Sequence, residues 1–483
     1  MKFRPYDQAQ TKFANLNYRE ILGEESEAVI INDIVNILDL SKIEEQYPEV
    51  GNLGYHPKEM IKIMFWGYYK GYFGGRPLHR NWQTDLALRY FSNDDFPDHR
   101  TINLFRIKFP EEIPEIFTQI IMLCNELGLI GFENLSIDGQ KLKACANLFQ
   151  NKNLKGITKE KERIKKQLAK LLEEMIEFPE EPKKKQDRLK RREQKLDNAA
   201  KLLKEAGGEE DKTLRYNLTD SDSRIMTDKR GVKNPDYNCQ NGVDDKFGVI
   251  TAIKVTNVSS DNGELFLMKD ESEKNTGKLH KNVLADCGYG DKKKFAEMAS
   301  DEKTEYYVPD KTMYSCKKNP YSKWNFTYLE KRDIFLCPQG KEMVYLRTTK
   351  DVNGLDHRIY QGTGCLDCEC RNICLRKRKG KQKQNNTTFR SISIYPEDEL
   401  VKEMRQKLRT KDGKKVYQRR MATVETVHGD MQKNRNFLQF ELRGLMKVNI
   451  EYCFLAIAHN LRKIILHGAD ALKKIIEKRD HCI

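Results

Sequence analysis

Long apolar runs are missing from this 483-residue chain: no stretch approaches the roughly 18 consecutive apolar residues that a membrane-spanning helix needs. The opening Met-Lys-Phe-Arg-Pro-Tyr-Asp has no signal-peptide apolar core, so the expectation is a cytoplasmic protein without a membrane partner. Cysteine is sparse too. Twelve in so long a chain are too few for a disulfide scaffold, and in a reducing compartment they are thiols or metal ligands. Acids are outnumbered, Asp+Glu 72 against Lys+Arg 87, which leaves a net charge of +15.

The basic excess is concentrated. Seven basic residues and no acidic one lie between Arg371 and Lys383, and a patch of that kind favours a polyanion partner over a merely solvated loop. At roughly 100–200 residues per domain, the length corresponds to about three units.

Residues 1–130 read as helices. Apolar residues recur at helical spacing from His56 to Tyr69 and from Ile113 to Leu123. Asp98 is placed to cap a helix whose apolar stripe is Ile102, Phe105 and Phe109, leaving Arg100 and Arg106 for phosphates or a groove. From Ile157 to about Ala206 the composition turns to Lys, Glu, Leu and Gln, broken by Phe178-Pro-Glu-Glu-Pro182, which predicts two antiparallel helices. This hairpin is open to three readings: a DNA clamp, a self-association element or a passive insertion. A β-hairpin is predicted around a turn at Asp245 to Gly248, followed by a helix near Gly263 to Asn275 and strands at Lys281–Asp286 and from Thr304.

Three acids stand out from the 72. Asp138 follows Leu135 and Ile137 in a strand-like alternation, and Asp286 follows Val283 and Leu284, so both emerge at the edge of a buried sheet. Glu425 is set among Tyr417, Arg419, Arg420, Lys433 and Arg435, an acid amid bases, as a carboxylate working beside DNA phosphate would be. Phosphodiester cleavage needs charge neutralisation and an aligned attacking oxygen, which two Mg²⁺ ions supply, and hard cations take oxygen ligands. A second constellation is Cys337, Cys365, Cys368 and Cys374, spaced Cys-x27-Cys-x2-Cys-x5-Cys, with Cys370 as a substitute. Four thiolates suit tetrahedral zinc, and simple reduced thiols are the alternative.

The blocks Ser136-Ile-Asp138-Gly-Gln-Lys-Leu-Lys, Ala285-Asp286-Cys-Gly-Tyr289 and Tyr417 through Lys463 resemble bacterial insertion-sequence transposases of the Asp-Asp-Glu class, whose catalytic core is ribonuclease-H-like. The resemblance covers most of the chain. It implies an α/β fold with a ribonuclease-H-like mixed sheet assembled from 131–144, 237–310 and 396–475. Around this core it places an all-α DNA-binding domain at 1–130, an inserted helical hairpin and linker at 145–236, and a basic cysteine-bearing insertion at 311–395. It implies that Asp138, Asp286 and Glu425 hold two Mg²⁺ ions, with Mn²⁺ as a substitute, and that a structural zinc sits on the cysteines. The implied reaction cuts transposon ends and joins 3′ hydroxyls to target DNA. The implied partners are double-stranded DNA, as terminal inverted repeats and target, and a second copy of the chain in a bacterial synaptic complex.

Arg100, Arg106, Tyr417, Arg419, Arg420, Lys433 and Arg435 are then the candidate DNA contacts. Two positions depart from the family pattern: Gln432 stands seven residues beyond the glutamate, where the family has lysine, and His428 stands where it has an aromatic residue. These leave open a catalytically inactive or repurposed DNA-binding protein, as does a metal-dependent nuclease that cuts without joining. Asn217-Leu-Thr-Asp-Ser-Asp222 also resembles a family block, with Asp222 a minor competitor for a metal position.

Overall fold

The computed structural model describes residues 17–48, 54–174, 181–228, 231–313, 319–352, 354–375 and 388–480. Most of the basic run, Arg376 to Lys383, and the start of the proline turn, Phe178 to Glu180, lie outside the described residues.

Local chemistry sets the N-terminal helices. Pro57–Lys70 begins with His56 accepting from the Lys58 N–H and proline in the first turn, and ends at Gly71 in a left-handed conformation, φ 82°. A Cβ at Gly71 would also lie 2.9 Å from the Arg435 carbonyl, so two constraints require glycine there. His99–Lys108 is capped as the sequence predicts, by Asp98 accepting from the Arg100 and Thr101 N–H groups at 2.9 and 2.7 Å. Glu112–Glu126 follows.

The central sheet is mixed. Its strands are β1 (Asn134–Lys143), β2 (Lys233–Asp244), β3 (Ile250–Thr256), β4 (Asn282–Ala285) and β5 (Glu305–Tyr307), in the order β3-β2-β1-β4-β5. β1 and β3 each run antiparallel to β2 between them, whereas β4 runs parallel to β1 and β5 parallel to β4. A short strand, Arg224–Thr227, extends β2 at its start. One face of the sheet packs Leu135, Ile137, Val283 and Ala285 against Leu265 and Met268 of the Glu264–Thr276 helix.

The other face meets the Leu445–His467 helix, whose side chains are buried almost all round. That helix lies between the sheet and the N-terminal helices: Phe454 stacks on Tyr68, and Ile31, Met64, Ile120, Tyr237 and Val255 belong to one apolar cluster with it. The described N-terminal helices and one face of the sheet thus share one apolar cluster with this helix. Its N-terminus is capped by two acids, Asp220 accepting from the Gly444 N–H at 3.1 Å and Asp222 from the Leu445 N–H at 2.8 Å. This gives the Asn217–Asp222 block a structural task.

The predicted helical pair is present as Leu154–Glu174 and Glu181–Glu205, joined by a seam of Ile157, Ile164, Leu196, Ala199 and Leu203. The cysteine-bearing segment is a second, five-stranded antiparallel sheet running from Thr327 to Ile394, with its own small core of Phe335, Met343, Tyr360 and Ile392. Among the described residues no helix is long and apolar enough to cross a membrane.

Candidate active site and cysteine ribbon

Strand register brings two of the three predicted acids together. Ile137 pairs with Ala285 across the parallel β1–β4 ladder; Asp138 is the next residue within β1, and Asp286 is the first residue past the end of β4. Asp138 is buried on β1, whereas Asp286 is partly exposed and its Oδ1 accepts from the Gly288 N–H at 2.6 Å.

The Lys411–Gly429 helix lies over this pair. Thr423, Val424 and Val427 form its buried side, and one turn earlier Arg420 brings Nη1 to 3.5 Å from Asp138 Oδ2. Burial would pull the Arg420 guanidinium down from its ordinary pKa, but Asp138, Tyr417 and Asp286 outweigh it and hold it higher. Its Nε is buried with no hydrogen-bond partner among the described residues. A fixed cation thus stands where the two aspartates converge.

Glu425 is exposed on the same helix. It sits one turn before His428, whose Nε2 lies 3.1 Å from Asn241 Nδ2, and Asn241 is the register partner of Asp138 on β2. The glutamate therefore borders the Asp138 side of the sheet without being gathered onto the aspartates. Among the described residues no group of three or more His, Cys, Asp or Glu side chains is arranged to hold a metal ion.

Beyond Glu425 the helix changes pitch. Asp430–Asn434 is a π turn, closed by the Arg435 N–H donating to the Asp430 carbonyl at 3.0 Å. A π turn takes one residue more than an α turn. Lys433, eight residues on, is thereby rotated toward the face that the seventh residue would occupy in a regular helix, and it is exposed. Gln432 turns inward instead and donates to Gln140 Oε1 at 2.9 Å.

Two predicted DNA contacts need correction. Arg106 is buried at 1% exposure, with Nη2 2.6 Å from Glu451, Nη1 3.2 Å from Glu441 and Nε donating to Tyr68. Arg435 is buried between Asp430 and the carbonyls of Tyr68, Tyr69 and Ala458. Both guanidiniums are buried and taken up by protein acceptors, although Glu441 itself is partly exposed. Arg100 and Lys433 are exposed, Tyr417 is partly exposed, and Arg419 reaches Asp245 at 2.8 Å while remaining over half exposed.

Asp261 was not singled out from the sequence. Its carboxylate accepts from Asn238 at 2.7 Å, Gln240 at 2.8 Å and Lys141 at 3.3 Å. A Cβ at Gly139 would lie 2.7 Å from its Oδ1, and one at Gly288 would lie 3.5 Å from its Oδ2 and 2.8 Å from Asp286 Oδ1. The glycines that follow the two aspartates thus make room for carboxylates. Tyr289, wholly buried, donates to Gln240; burial first, then the charges of Asp261, Asp138 and Asp286, push its hydroxyl pKa well up. The signal was present in Asp-Gly and Asp-Cys-Gly-Tyr, but nothing local named the third acid.

The four predicted zinc ligands share one place. Cys337, Cys365, Cys368 and Cys374 line a single cavity of about 30 Å³ with Tyr321 and Arg390. Cys337 opens a tight turn closed by its N–H donating to the Lys341 carbonyl at 2.9 Å, and Cys365 Sγ accepts from the Arg390 backbone N–H at 3.4 Å. Burial raises the Cys374 thiol, and the neighbouring Cys365, Cys337 and Cys368 add to it against the opposing Arg390 charge. Cys370 is not among the lining residues. None of the described cysteines is disulfide-bonded.

Two aspartates that follow the last paired residues of neighbouring parallel strands lie beside a helix rich in lysine and arginine, and comparisons with known families add to this picture. Residues 336–465 match the model of the transposase DDE domain, and residues 16–108 match that of a transposase domain, DUF772. Together the two matches indicate an insertion-sequence transposase of the DDE class, and hence an enzyme. The first segment contains Glu425 and the four cysteines, while Asp138 and Asp286 lie outside both. Neither the curated proteins nor the solved structures gave a match.

Proposed function

We propose that this transposase cuts DNA at the ends of its element and joins the freed 3′ hydroxyls to target DNA, using Asp138, Asp286 and Glu425 as the metal-holding acids. The observation that carries the proposal is that Asp138 on β1 and Asp286 just past the end of the parallel neighbour β4 each follow the last paired residues of that ladder, beneath the helix that bears Glu425. Strand order supports it: β3-β2-β1-β4-β5, three antiparallel strands continued by two parallel ones, is the order of a ribonuclease-H-like sheet.

The donor set is all oxygen, which suits Mg²⁺ or Mn²⁺, and Arg420 marks the spot as one that accommodates positive charge. When bound, such ions neutralise the phosphate and align the attacking oxygen. Closure of the triad requires Glu425 to turn inward from its exposed position, a movement that substrate DNA would drive. Arg419, Tyr417, Lys433 and Arg100 remain as candidate DNA contacts, and Lys433 fits the phosphate-facing lysine of the family through the π turn. The four cysteines fit a structural zinc by their shared cavity and soft sulfur donors, which would tie the Cys337–Lys341 turn to the Cys365–Cys374 loop. A homodimeric synaptic complex is the expected working form.

The test is cleavage and joining of labelled DNA carrying the sequences that flank the gene, with Mg²⁺ or Mn²⁺, comparing the native protein with Asp286→Ala. Metal-dependent cut and joined products, lost in the variant, are expected. Cleavage without joining would reassign the protein as a nuclease. Binding with neither product would favour a repurposed DNA-binding protein, the reading that the exposed Glu425 supports.

A further inference from the structure

The helical pair has no part in the site described above, yet its surface is sorted by charge. Leu154–Glu174 and Glu181–Glu205 bury their apolar stripes against each other and leave an open groove of about 1060 Å³ along one side. Seven basic side chains line it against a single acid, Glu160, which is already held by Arg192 and Lys152. Arg163 and Lys170 stand on the first helix and Arg188 on the second, all exposed, and neither Arg163 nor Arg188 forms an ion pair with a described side chain. A hairpin that merely solvates itself interleaves its charges, as Lys161 and Asp197 do outside the groove. Here cations from both arms converge instead.

A second observation is independent of charge. Phe149 is 81% exposed and lines the foot of the same groove. It lies on the short turn Leu148–Gln150, six residues past the end of β1, and Gln150 is fixed to the hairpin by the Arg192 guanidinium at 2.9 Å. An aromatic ring held in solvent beside a row of cations is the pairing that single-stranded nucleic acid selects, with bases stacked on rings and phosphates on guanidiniums. Four residues separate the turn from the strand that carries Asp138.

We propose that this groove is a DNA-binding site that grips the phosphate backbone of the element end through Arg163, Lys170 and Arg188, while Phe149 stacks on a base exposed beyond the duplex. The inference rests on the transposase reading, and it assigns the hairpin a substrate-holding function.

The experiment uses the full-length protein and two fluorescent probes: a blunt duplex of the element end, and the same duplex with a three-nucleotide single-stranded overhang. Affinities are measured between about 50 and 200 mM salt for the native protein, the triple variant Arg163→Ala/Lys170→Ala/Arg188→Ala, the single variant Arg188→Glu, and Phe149→Ala. Loss of three phosphate contacts lowers the slope of log affinity against log salt by about 2 to 3. The expected result is that slope change, at least tenfold weaker binding by both charge variants, and selective loss of the overhang preference in Phe149→Ala, with melting curves unchanged. Native binding that both charge variants retain in full would overturn the groove and leave the transposase reading standing. No DNA binding by the native protein would overturn both. Equal overhang preference in Phe149→Ala would overturn the stacking role.

Discussion

Arg106 Nη2 lies 2.6 Å from Glu451 Oε1, joining residues 345 positions apart in a contact with almost no solvent access. The same glutamate accepts from the backbone N–H groups of Glu441 and Leu442, at 3.2 and 2.9 Å. The pair locks the His99–Lys108 helix to the Leu445–His467 helix. Removing one member of a buried pair strands the other, so Arg106→Met should cost about 3–5 kcal/mol in urea denaturation. A cost under about 1 kcal/mol would show that the pair is solvated in solution.

The turn after the Glu425 helix predicts a response to acid. Burial would raise the Asp430 carboxyl, but the His459 hydrogen bond and the Arg435 charge hold it well below the usual carboxylate range. A depressed folded value stabilises the native state above the unfolded value of about 4, and that stability is lost as pH falls through and below it. Asp430→Asn should therefore melt lower at pH 7 and lose less on acidification from about pH 5 to 3. Parallel pH–stability curves for the two proteins would count against the coupling.

How much of this was legible in the sequence depended on how local the determinant was. The Asp98 cap, the His56–Pro57 helix start and the paired stripes of the hairpin are written in neighbouring residues, and the structure has them where the periodicity puts them. The β-hairpin turn was equally plain, although β2 begins at Lys233, four residues before its apolar run, because its first residues pair with Arg224–Thr227. The fates of Arg106 and Arg435 were not local. Each looked like a surface base in its own segment, and each is claimed by acceptors brought in from distant segments. Asp261 was hidden for the same reason.

Gly139 is a sensitive probe of the aspartate pair. A methyl group there would lie 2.5 Å from Gln240 Nε2 and 2.7 Å from Asp261 Oδ1. Gly139→Ala should cost about 1–3 kcal/mol of stability through overpacking. DNA cleavage should fall while DNA affinity, measured by anisotropy, is retained. Unchanged cleavage would mean that the strand shifts without moving Asp138.

The π turn separates Lys433 from Gln432 in function. Lys433→Ala should weaken binding to the element end by about tenfold, the size of a lost charge-assisted contact. Gln432→Ala removes only its bond to Gln140 and should cost about 0.5–1.5 kcal/mol of stability with end binding preserved. The reverse pattern in the two variants would place the phosphate contact at 432.

Metal analysis addresses the cysteine ribbon. One zinc per chain is expected by mass spectrometry under native conditions, released by a chelator together with loss of protease resistance across 327–394. Cys365→Ser should purify with substoichiometric zinc, whereas Cys370→Ser should retain it, since Cys370 does not line the cavity. Full zinc loading of Cys365→Ser would point to a different ligand set.

The burial of Leu445–His467 between the first helices and the sheet also imposes a schedule on synthesis. At about 5–20 residues per second, roughly 20–80 seconds separate the emergence of Ile61 from that of Leu461. Throughout that interval the early helices lack the Leu445–His467 helix as the partner of their inner apolar faces, and a chain that stops before residue 445 never acquires it. Completion of translation is thus a condition for assembling the interior, and premature termination should yield aggregation-prone fragments instead of partly active enzyme.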